Sequence, residues 1–146
     1  MTWPLAGPDT RLGDLGHRPP VSVPVDATLQ EAATAMQVHN VSSVLVGEKP
    51  GLITERDLAR AYHLGRSPGS CVTEVETAAP LTATWDTTLL DGTRLMLRHH
   101  VRHLVVLGHH DEVIAVVSLR ATARVLARNL DPATWSCLLD ATDQLS

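Results

Sequence analysis

The sequence predicts a mixed α/β fold made of two copies of one β-α-β-β-α unit, and three observations lead to it. Residues 21–36 (VSVPVDATLQEAATAM) align with residues 81–96 (LTATWDTTLLDGTRLM) at a constant offset of 60. Further along, GLITERDL (51–58) aligns with AVVSLRAT (115–122) at an offset of 64. Within each copy, alternating apolar residues give way to apolar residues at helical spacing, which indicates strands followed by helices.

The first half of each copy is predicted to be a strand followed by a helix. Valine alternates with other residues over 21–25, as expected for a half-buried strand. The helix is indicated by apolar residues at the i, i+3, i+4 and i+7 spacing of one face, namely Leu29, Ala32, Ala33 and Met36. Thr28 and Glu31 fit a capping box at its start, and Thr88 with Asp91 repeats that pattern in the second copy.

The second half of each copy is predicted to be two strands and a second helix. The middle strands fall at 43–46 and 103–107, and each is followed by a turn and another strand. The second copy has four more residues in this turn, GHHDE (108–112), which fits a hairpin loop because insertions collect at turns. The last helix begins near Thr54, and its apolar positions are Leu58, Ala61 and Tyr62, with Val125 and Leu126 as counterparts.

The repeat predicts two domains and a C-terminal tail. The boundaries are 12–65 for the first domain and 72–130 for the second. The segment between them, HLGRSPGSCVTEV (63–75), contains the glycine, serine and proline typical of a short linker. The tail, 131–146, is predicted to be helical because Pro132 suits the first position of a helix.

Composition excludes several classes of protein. The net charge of -4 does not fit the basic surface of a nucleic-acid-binding protein. No apolar run is long enough to span a membrane, and the N-terminus has no secretory pattern, so we expect a cytoplasmic protein. Cys71 and Cys137 show no metal-ligand spacing, and two reduced thiols are the simpler interpretation, with a disulfide left open.

The chemistry-bearing residues do not form a catalytic or metal-binding pattern. The sequence has no nucleophile elbow, no phosphate loop and no cysteine–histidine signature, so we predict that the protein is not an enzyme. Five histidines crowd 99–110, and His99 and His103 are one helical turn apart. His99 and His100 fall at a helix end, where the helix dipole favours histidine, and His109 and His110 fall in the inserted loop. We therefore predict no metal site; a pH-sensitive surface is the other interpretation.

The pattern resembles the tandem CBS domain pair, also called a Bateman module, over about residues 12–130. The resemblance rests on RLGDL (11–15) and its echo CVTEV (71–75), on VSVPVDATLQEAATAM and VSSVLV, and above all on GLITERDL. That last string matches the nucleotide motif of the family: glycine, an apolar residue, any residue, threonine or serine, two residues, and aspartate or asparagine. The two copies in register make the resemblance specific.

The resemblance implies a regulatory role. Stand-alone bacterial proteins of this type bind AMP, ADP, ATP, S-adenosylmethionine or related adenosyl ligands between two domains packed with pseudo-two-fold symmetry. They report ligand status to an effector protein, and they usually form homodimers. Leu95 and Leu97 add apolar surface that a homodimer would bury. The alternative is a structural scaffold of the same family with no physiological nucleotide.

The resemblance also assigns candidate ligand residues. Asp57 holds the motif position of the ribose ligand, where a carboxylate can accept both vicinal hydroxyls. Thr54 lies at a helix start, where free amide groups favour phosphate, and Arg56 would add charge there. In the family, the start of the second middle strand also contacts phosphate, and the corresponding residues here are Arg102 and His103. The first strand of the second domain contacts adenine, and the corresponding residues here are Pro80, Leu81 and Thr82.

Two features oppose a ligand at these positions. Thr54 and Asp57 also fit a capping box, which would explain them without a ligand. In the second copy the motif is degenerate, with Ala115, Ser118 and Ala121 in place of glycine, threonine and aspartate. Alanine cannot accept a ribose hydrogen, so we expect the second ligand position to be empty or to bind something other than a ribonucleotide.

Overall fold

The computed structural model describes residues 3–48, 51–129 and 131–143, and these form two compact units. The first unit consists of described residues within 20–80. The second unit consists of described residues within 1–19 and 81–146. Each unit contains one three-stranded sheet with helices, so the predicted mixed α/β class is confirmed.

The first unit has the predicted order of elements. Its elements are β1 (Ser22–Val23), α1 (Leu29–His39), β2 (Ser43–Val46), β3 (Gly51–Thr54) and α2 (Glu55–His63). The strand order is β1-β2-β3, with β1 parallel and β3 antiparallel to β2. The central strand β2 has three buried apolar side chains, Val44, Leu45 and Val46, and its backbone pairs with a neighbouring strand on both edges.

The second unit repeats this order and adds the predicted C-terminal helix. Its elements are β4 (Thr82–Thr84), α3 (Leu89–Arg98), β5 (His103–Leu107), β6 (Val113–Ser118), α4 (Leu119–Arg128) and α5 (Pro132–Asp143). The sheet order is β4-β5-β6, again one parallel and one antiparallel pair. The helix α5 contacts α3.

Each unit is completed by a segment that precedes the other copy in the sequence. The short 3₁₀ helix Val72–Glu74 joins the first unit, where the Val72 amide donates to the Ala27 carbonyl. The 3₁₀ helix Leu12–Asp14 joins the second unit, where the Leu12 amide donates to Thr87. Residues 12–14 therefore lie in the second unit and residues 72–74 in the first unit, whereas the predicted boundaries, 12–65 and 72–130, assign each of these stretches to the other domain. We call the stretches around these two 3₁₀ helices the exchanged segments.

The exchanged segments also accept hydrogen bonds from the first amide groups of α1 and α3. The first amide groups of α1 and α3 have no partner within their own helix. They donate to carbonyls of the exchanged segments: Leu29 to Ser70, Gln30 to Pro68, Leu89 to Thr10 and Leu90 to Pro8. The side chains of Thr28 and Thr88 satisfy a further amide each, those of Glu31 and Asp91. The capping box of α1 is confirmed as complete, whereas Asp91 makes no return bond to Thr88 and pairs with Arg94 instead.

Each unit has its own core, built mostly from aliphatic side chains because the chain has no phenylalanine. The larger buried members in the first unit are Val23, Leu29, Met36, Val44, Val46, Ile53 and Val72. Those in the second unit include Trp3, Leu12, Leu15, Leu89, Met96, Leu104, Val106, Val117, Val125 and Leu126. Burying one large aliphatic side chain contributes about 1.5–3 kcal/mol relative to leaving it exposed.

Three predicted apolar positions are not in the core. Val25 is 59% exposed, because β1 ends at Val23 and Val25 lies outside the sheet. The other two lie on helices. Ala33 is exposed, because the buried face of α1 runs through Leu29, Ala32 and Met36 and leaves Ala33 at its edge. Tyr62 is 88% exposed, since it follows the buried Ala61 and is turned about 100° away on the helix. The predictions for these two residues were wrong; a helical spacing fixes the face of a helix but not its width.

The inserted segment 108–112 forms the predicted hairpin loop between β5 and β6. The Gly108 amide donates to the Glu112 carbonyl over 2.8 Å, and Asp111 adopts a left-handed conformation with φ of 60°. The ring of His109 in this loop lies 4.2 Å from that of Trp85. Both cysteines carry free thiols, and in the described ranges no helix is long and apolar enough to cross a membrane.

Candidate functional site

The junction between β3 and α2 carries the centre of the predicted site. Thr54 ends the strand in an extended conformation and is the N-cap of the helix. Its hydroxyl oxygen accepts from the Asp57 amide over 3.2 Å, and its own amide donates to the Asp57 carboxylate over 2.9 Å. The capping-box interpretation of these two residues is therefore confirmed.

The cap uses only one oxygen of the Asp57 carboxylate. Oδ2 accepts both from the Thr54 amide and from the Thr54 hydroxyl, the latter over 3.0 Å. Asp57 is only 6% exposed. Its Oδ1 atom nevertheless accepts no hydrogen bond from any residue that the structure describes. A carboxylate oxygen has two acceptor positions, so Oδ1 keeps its capacity for a hydroxyl donor. Capping and ligand binding are therefore compatible roles of this side chain.

The second unit provides an internal comparison for this junction. Ser118 caps α4 there by accepting from the Ala121 amide over 3.1 Å. The position of Asp57 is taken by Ala121, and the position of Gly51 by the buried Ala115. The same strand-to-helix junction thus forms without a carboxylate. The fold alone does not require an acidic group at Asp57.

Gly51 in the motif has a close neighbour that the sequence did not reveal. A Cβ atom at Gly51 would meet the carboxylate of Glu76. Glu76 is held there because Thr77, the next residue, exchanges two backbone hydrogen bonds with Leu52. No sequence pattern assigned Glu76 to this site. The one available indication was glycine within a strand, which often marks a close approach.

The second unit places its four predicted site residues at one end of its sheet. Because β4 and β5 are parallel, both strands begin at the same end of the sheet. There the Val105 amide donates to the Leu81 carbonyl. Thr82 is exposed at the start of β4, and Arg102 is exposed just before β5. The Arg102 carbonyl accepts from Leu119 at the start of α4, and His103 pairs with Ser118.

The predicted site residues fall into two groups. Thr54, Arg56, Asp57 and Pro80 belong to the first unit. Leu81, Thr82, Arg102 and His103 belong to the second unit. Thr54 and Asp57 are in direct contact, and Arg56 is exposed beside them in the first turn of α2. The assembly of one site from both groups stays a prediction.

The histidine-rich segment does not form a metal centre in the part of the chain that the structure describes. No three histidine, cysteine, aspartate or glutamate side chains there are close enough together to hold an ion. His99 and His100 end α3 in exposed positions, and His109 and His110 are exposed in the hairpin loop.

Comparison with known proteins identifies the family. The model of the CBS domain matches residues 12–64 and again residues 72–128. These two matches cover well over half of the chain. The protein therefore belongs to the CBS domain family and carries the domain in tandem, as the sequence predicted.

Two curated relatives share the repeated region. An uncharacterized 17.7 kDa protein of Acidianus ambivalens is 33% identical over 105 residues, which cover 69% of this chain and 63% of the relative. The CBS domain-containing protein YhcV of Bacillus subtilis is 31% identical over 102 residues, covering 67% of this chain and 72% of the relative. The chain thus spans less than two thirds of the first relative's length. An inosine-5'-monophosphate dehydrogenase of Chlorobaculum parvum matches over only 22% of its own length.

Solved structures confirm the fold. A CBS domain protein from Pyrobaculum aerophilum, complexed with AMP, is 26% identical with a TM-score of 0.70, covering 90% of this chain and 99% of its own. The CBS domain pair of protein MJ0100, in complex with 5-methylthioadenosine and S-adenosyl-L-methionine, superimposes with a TM-score of 0.75. It is 21% identical and covers 84% of this chain and 100% of its own, so it supports the fold alone.

Proposed function

We propose that this protein is a non-catalytic regulatory module that binds one adenosyl ligand, such as AMP, ADP, ATP or S-adenosylmethionine, and signals its presence to a partner protein. The observation that carries the proposal is the junction from Gly51 to Asp57, in which the cap leaves Oδ1 of a carboxylate unused. The AMP complex of the Pyrobaculum aerophilum protein supports an adenosyl ligand.

The side chains of the site suit the parts of such a ligand. Asp57 Oδ1 accepts hydrogen bonds from the ribose hydroxyls, which are charge-assisted and contribute about 1.5–3 kcal/mol each. Arg56, Arg102 and His103 supply donors for phosphate. Adenine lies against Pro80, Leu81 and Thr82. Because Ala121 lacks a carboxylate, one ligand binds per chain.

Calorimetry with substituted proteins tests the role of Asp57. Asp57→Asn keeps one oxygen for the cap but replaces the free oxygen by an amide that donates, so we expect adenosine and AMP affinity to fall at least tenfold, or about 1.4 kcal/mol. Glu31→Gln is the matched control, because Glu31 occupies the same third position of the other capping box. Ser118→Ala should also leave affinity unchanged.

The phosphate end is tested in the same titrations. Arg102→Ala should weaken AMP more than adenosine, because the exposed Arg102 guanidinium is assigned to phosphate. If Asp57→Asn binds AMP as well as the parent protein while Ser118→Ala does not, the ligand occupies the other motif and the assignment is wrong.

The scaffold is the second candidate function, and the complete capping box favours it, since Thr54 and Asp57 then need no ligand. It is separated from the first candidate by a thermal-shift screen with AMP, ADP, ATP, NAD and S-adenosylmethionine. Stabilisation by an adenosyl compound supports the sensor, because a ligand that binds only the folded state raises its stability. No shift with any of them supports the scaffold. In either role we place the protein in the cytoplasm as a homodimer.

A further inference from the structure

A cavity of about 420 Å³ lies beside α3 in the second unit, away from the residues assigned to the adenosyl ligand. Its lining includes Thr84 at the end of β4, Asp86 in the following turn, the N-cap Thr88, and Asp91, Arg94 and Arg98 along α3. This volume falls within the range of small-molecule sites in proteins. The core-facing residues of α3 are different ones, namely Leu89, Gly92, Thr93 and Met96.

The first copy shows which lining residues the fold itself needs. At the offset of 60, Asp86 and Asp91 correspond to Asp26 and Glu31, so both copies carry these acidic groups. Thr88 likewise corresponds to Thr28, whereas four polar positions differ: Arg94 corresponds to Thr34, Arg98 to Val38, Thr84 to Pro24 and Thr87 to Ala27. Because α1 forms without them, the helix does not require the arginines. Relative to the first copy, the second copy has two more guanidinium groups, and both can donate hydrogen bonds to an anion. It also has hydroxyls at Thr84 and Thr87, of which that of Thr84 already donates to Asp86 Oδ1.

Arg94 presents an unused edge of its guanidinium group. Nη1 lies 3.4 Å from Asp91 Oδ1, which is the one ion pair that Arg94 makes with described residues. Nε is buried and has no hydrogen-bond partner, although the side chain as a whole is 26% exposed. Nε and Nη2 together form the planar edge that binds both oxygens of a carboxylate or phosphate. A buried donor without an acceptor is unfavourable, and a rotation of the Arg94 side chain toward the cavity that it lines would let an oxyanion satisfy it.

We propose that this cavity is a second ligand site, which binds a small oxyanion group, carboxylate or phosphate, on the Nε and Nη2 edge of Arg94. Arg98 provides the second positive charge, and the hydroxyl of Thr88, whose oxygen accepts from the Asp91 amide, keeps its own hydrogen for donation. Asp86 is engaged with the Thr84 hydroxyl over 2.6 Å. The two carboxylates favour a ligand of low charge over a polyphosphate.

Titration of the full chain with inorganic phosphate and, separately, with acetate tests the proposal, with chloride at equal ionic strength as the blank. Amide NMR shifts report where each anion binds. We expect shifts at residues 84–88 and along α3. The anion that binds more tightly, phosphate or acetate, shows which of the two chemical groups the site prefers. Arg94→Lys keeps the charge but removes the two-donor edge, so affinity should fall at least tenfold. Arg124→Gln, an exposed arginine of α4 outside the cavity, is the matched control and should bind as the parent does.

Three outcomes would overturn the proposal. One is the absence of shifts beyond the chloride blank. Another is equal weakening by Arg94→Thr and Arg124→Gln, because each removes one positive charge and equal effects indicate general charge attraction. The third is loss of phosphate binding in Arg102→Ala but not in Arg94→Lys, which assigns phosphate to the adenosyl site instead. Arg94→Thr installs the residue of the first copy, so it should fold, and it must weaken binding like Arg94→Lys.

Discussion

At the scale of the residue, the two strand-to-helix junctions differ in one acidic side chain, Asp57, whose position is taken by Ala121 in the second copy. The sequence offered two roles for Asp57, a cap and a ribose ligand, and could not decide between them. The coordinates show that the cap engages Oδ2 and leaves Oδ1 without a partner among the described residues. This separation depends on the side-chain rotamer, which no spacing in the sequence contains. Ala121 in the second copy shows that the helix start is stable without the acid.

His17 makes the stability of the protein depend on pH. Burial beside Trp3, whose ring meets the His17 ring edge-on at 5.8 Å, lowers the pKa of His17 below its ordinary value of 6.5; the hydrogen bond to the Leu12 carbonyl opposes this only in part. The unfolded chain therefore binds a proton more readily than the folded protein. We expect the free energy of unfolding to decrease as the pH falls through about 6.5 toward the lowered pKa.

Denaturant unfolding between pH 7.5 and 5.5 measures this effect. His17→Gln should lose less stability over that range than the parent protein, because the group that resists protonation is gone. His39→Gln, at the exposed end of α1, is the control and should behave as the parent. Equal slopes for the parent and His17→Gln would assign the pH dependence to other groups.

The elements themselves follow from periodicity, but their partners do not. Apolar spacing predicted all ten strands and helices of the two copies, because side-chain period is a local property of the chain. The exchange of the segments around Leu12 and Val72 could not be predicted in this way. The amide of Leu89 donates to Thr10, a residue 79 positions earlier, and a local pattern carries no information about such a contact.

Leu12→Ala tests this exchange at the scale of the element. Leu12 is fully buried in the core of the second unit although it precedes the first copy in sequence. Removing it should cost about 2–5 kcal/mol, through lost apolar contact and the cavity left behind. In native-state hydrogen exchange, amides of β5 should lose more protection than those of β2. Leu5→Ala, at a residue 98% exposed, should change stability by less than about 0.5 kcal/mol. Greater loss of protection in β2 would contradict the exchange.

At the scale of the whole molecule, the two units differ in how far the apolar side chains of their helices are covered by other parts of the chain. In the second unit α5 contacts α3, and Leu126 of α4 is only 2% exposed. The position of Leu126 is taken in the first unit by Tyr62, which is 88% exposed. Leu95 and Leu97 of α3, the residues first considered for a dimer interface, are both partly buried within the chain. Among the described residues, most of the exposed large apolar side chains therefore belong to the first unit, and Leu5 and Trp135 are those of the second unit.

This difference directs the test of the predicted homodimer to the first unit. Val38 near the end of α1 is 71% exposed, and Leu64 directly after α2 is 62% exposed, in addition to Tyr62. Burial of these side chains between two copies would remove them from water, whereas a charge placed among them would be desolvated without a partner. We expect light scattering to show a dimer for the parent protein and a monomer for Tyr62→Glu. Leu5→Glu, which adds the same charge at an exposed apolar residue of the second unit, should remain a dimer. A parent protein that stays monomeric at high concentration would refute the homodimer, and a dimeric Tyr62→Glu would move the interface away from α2.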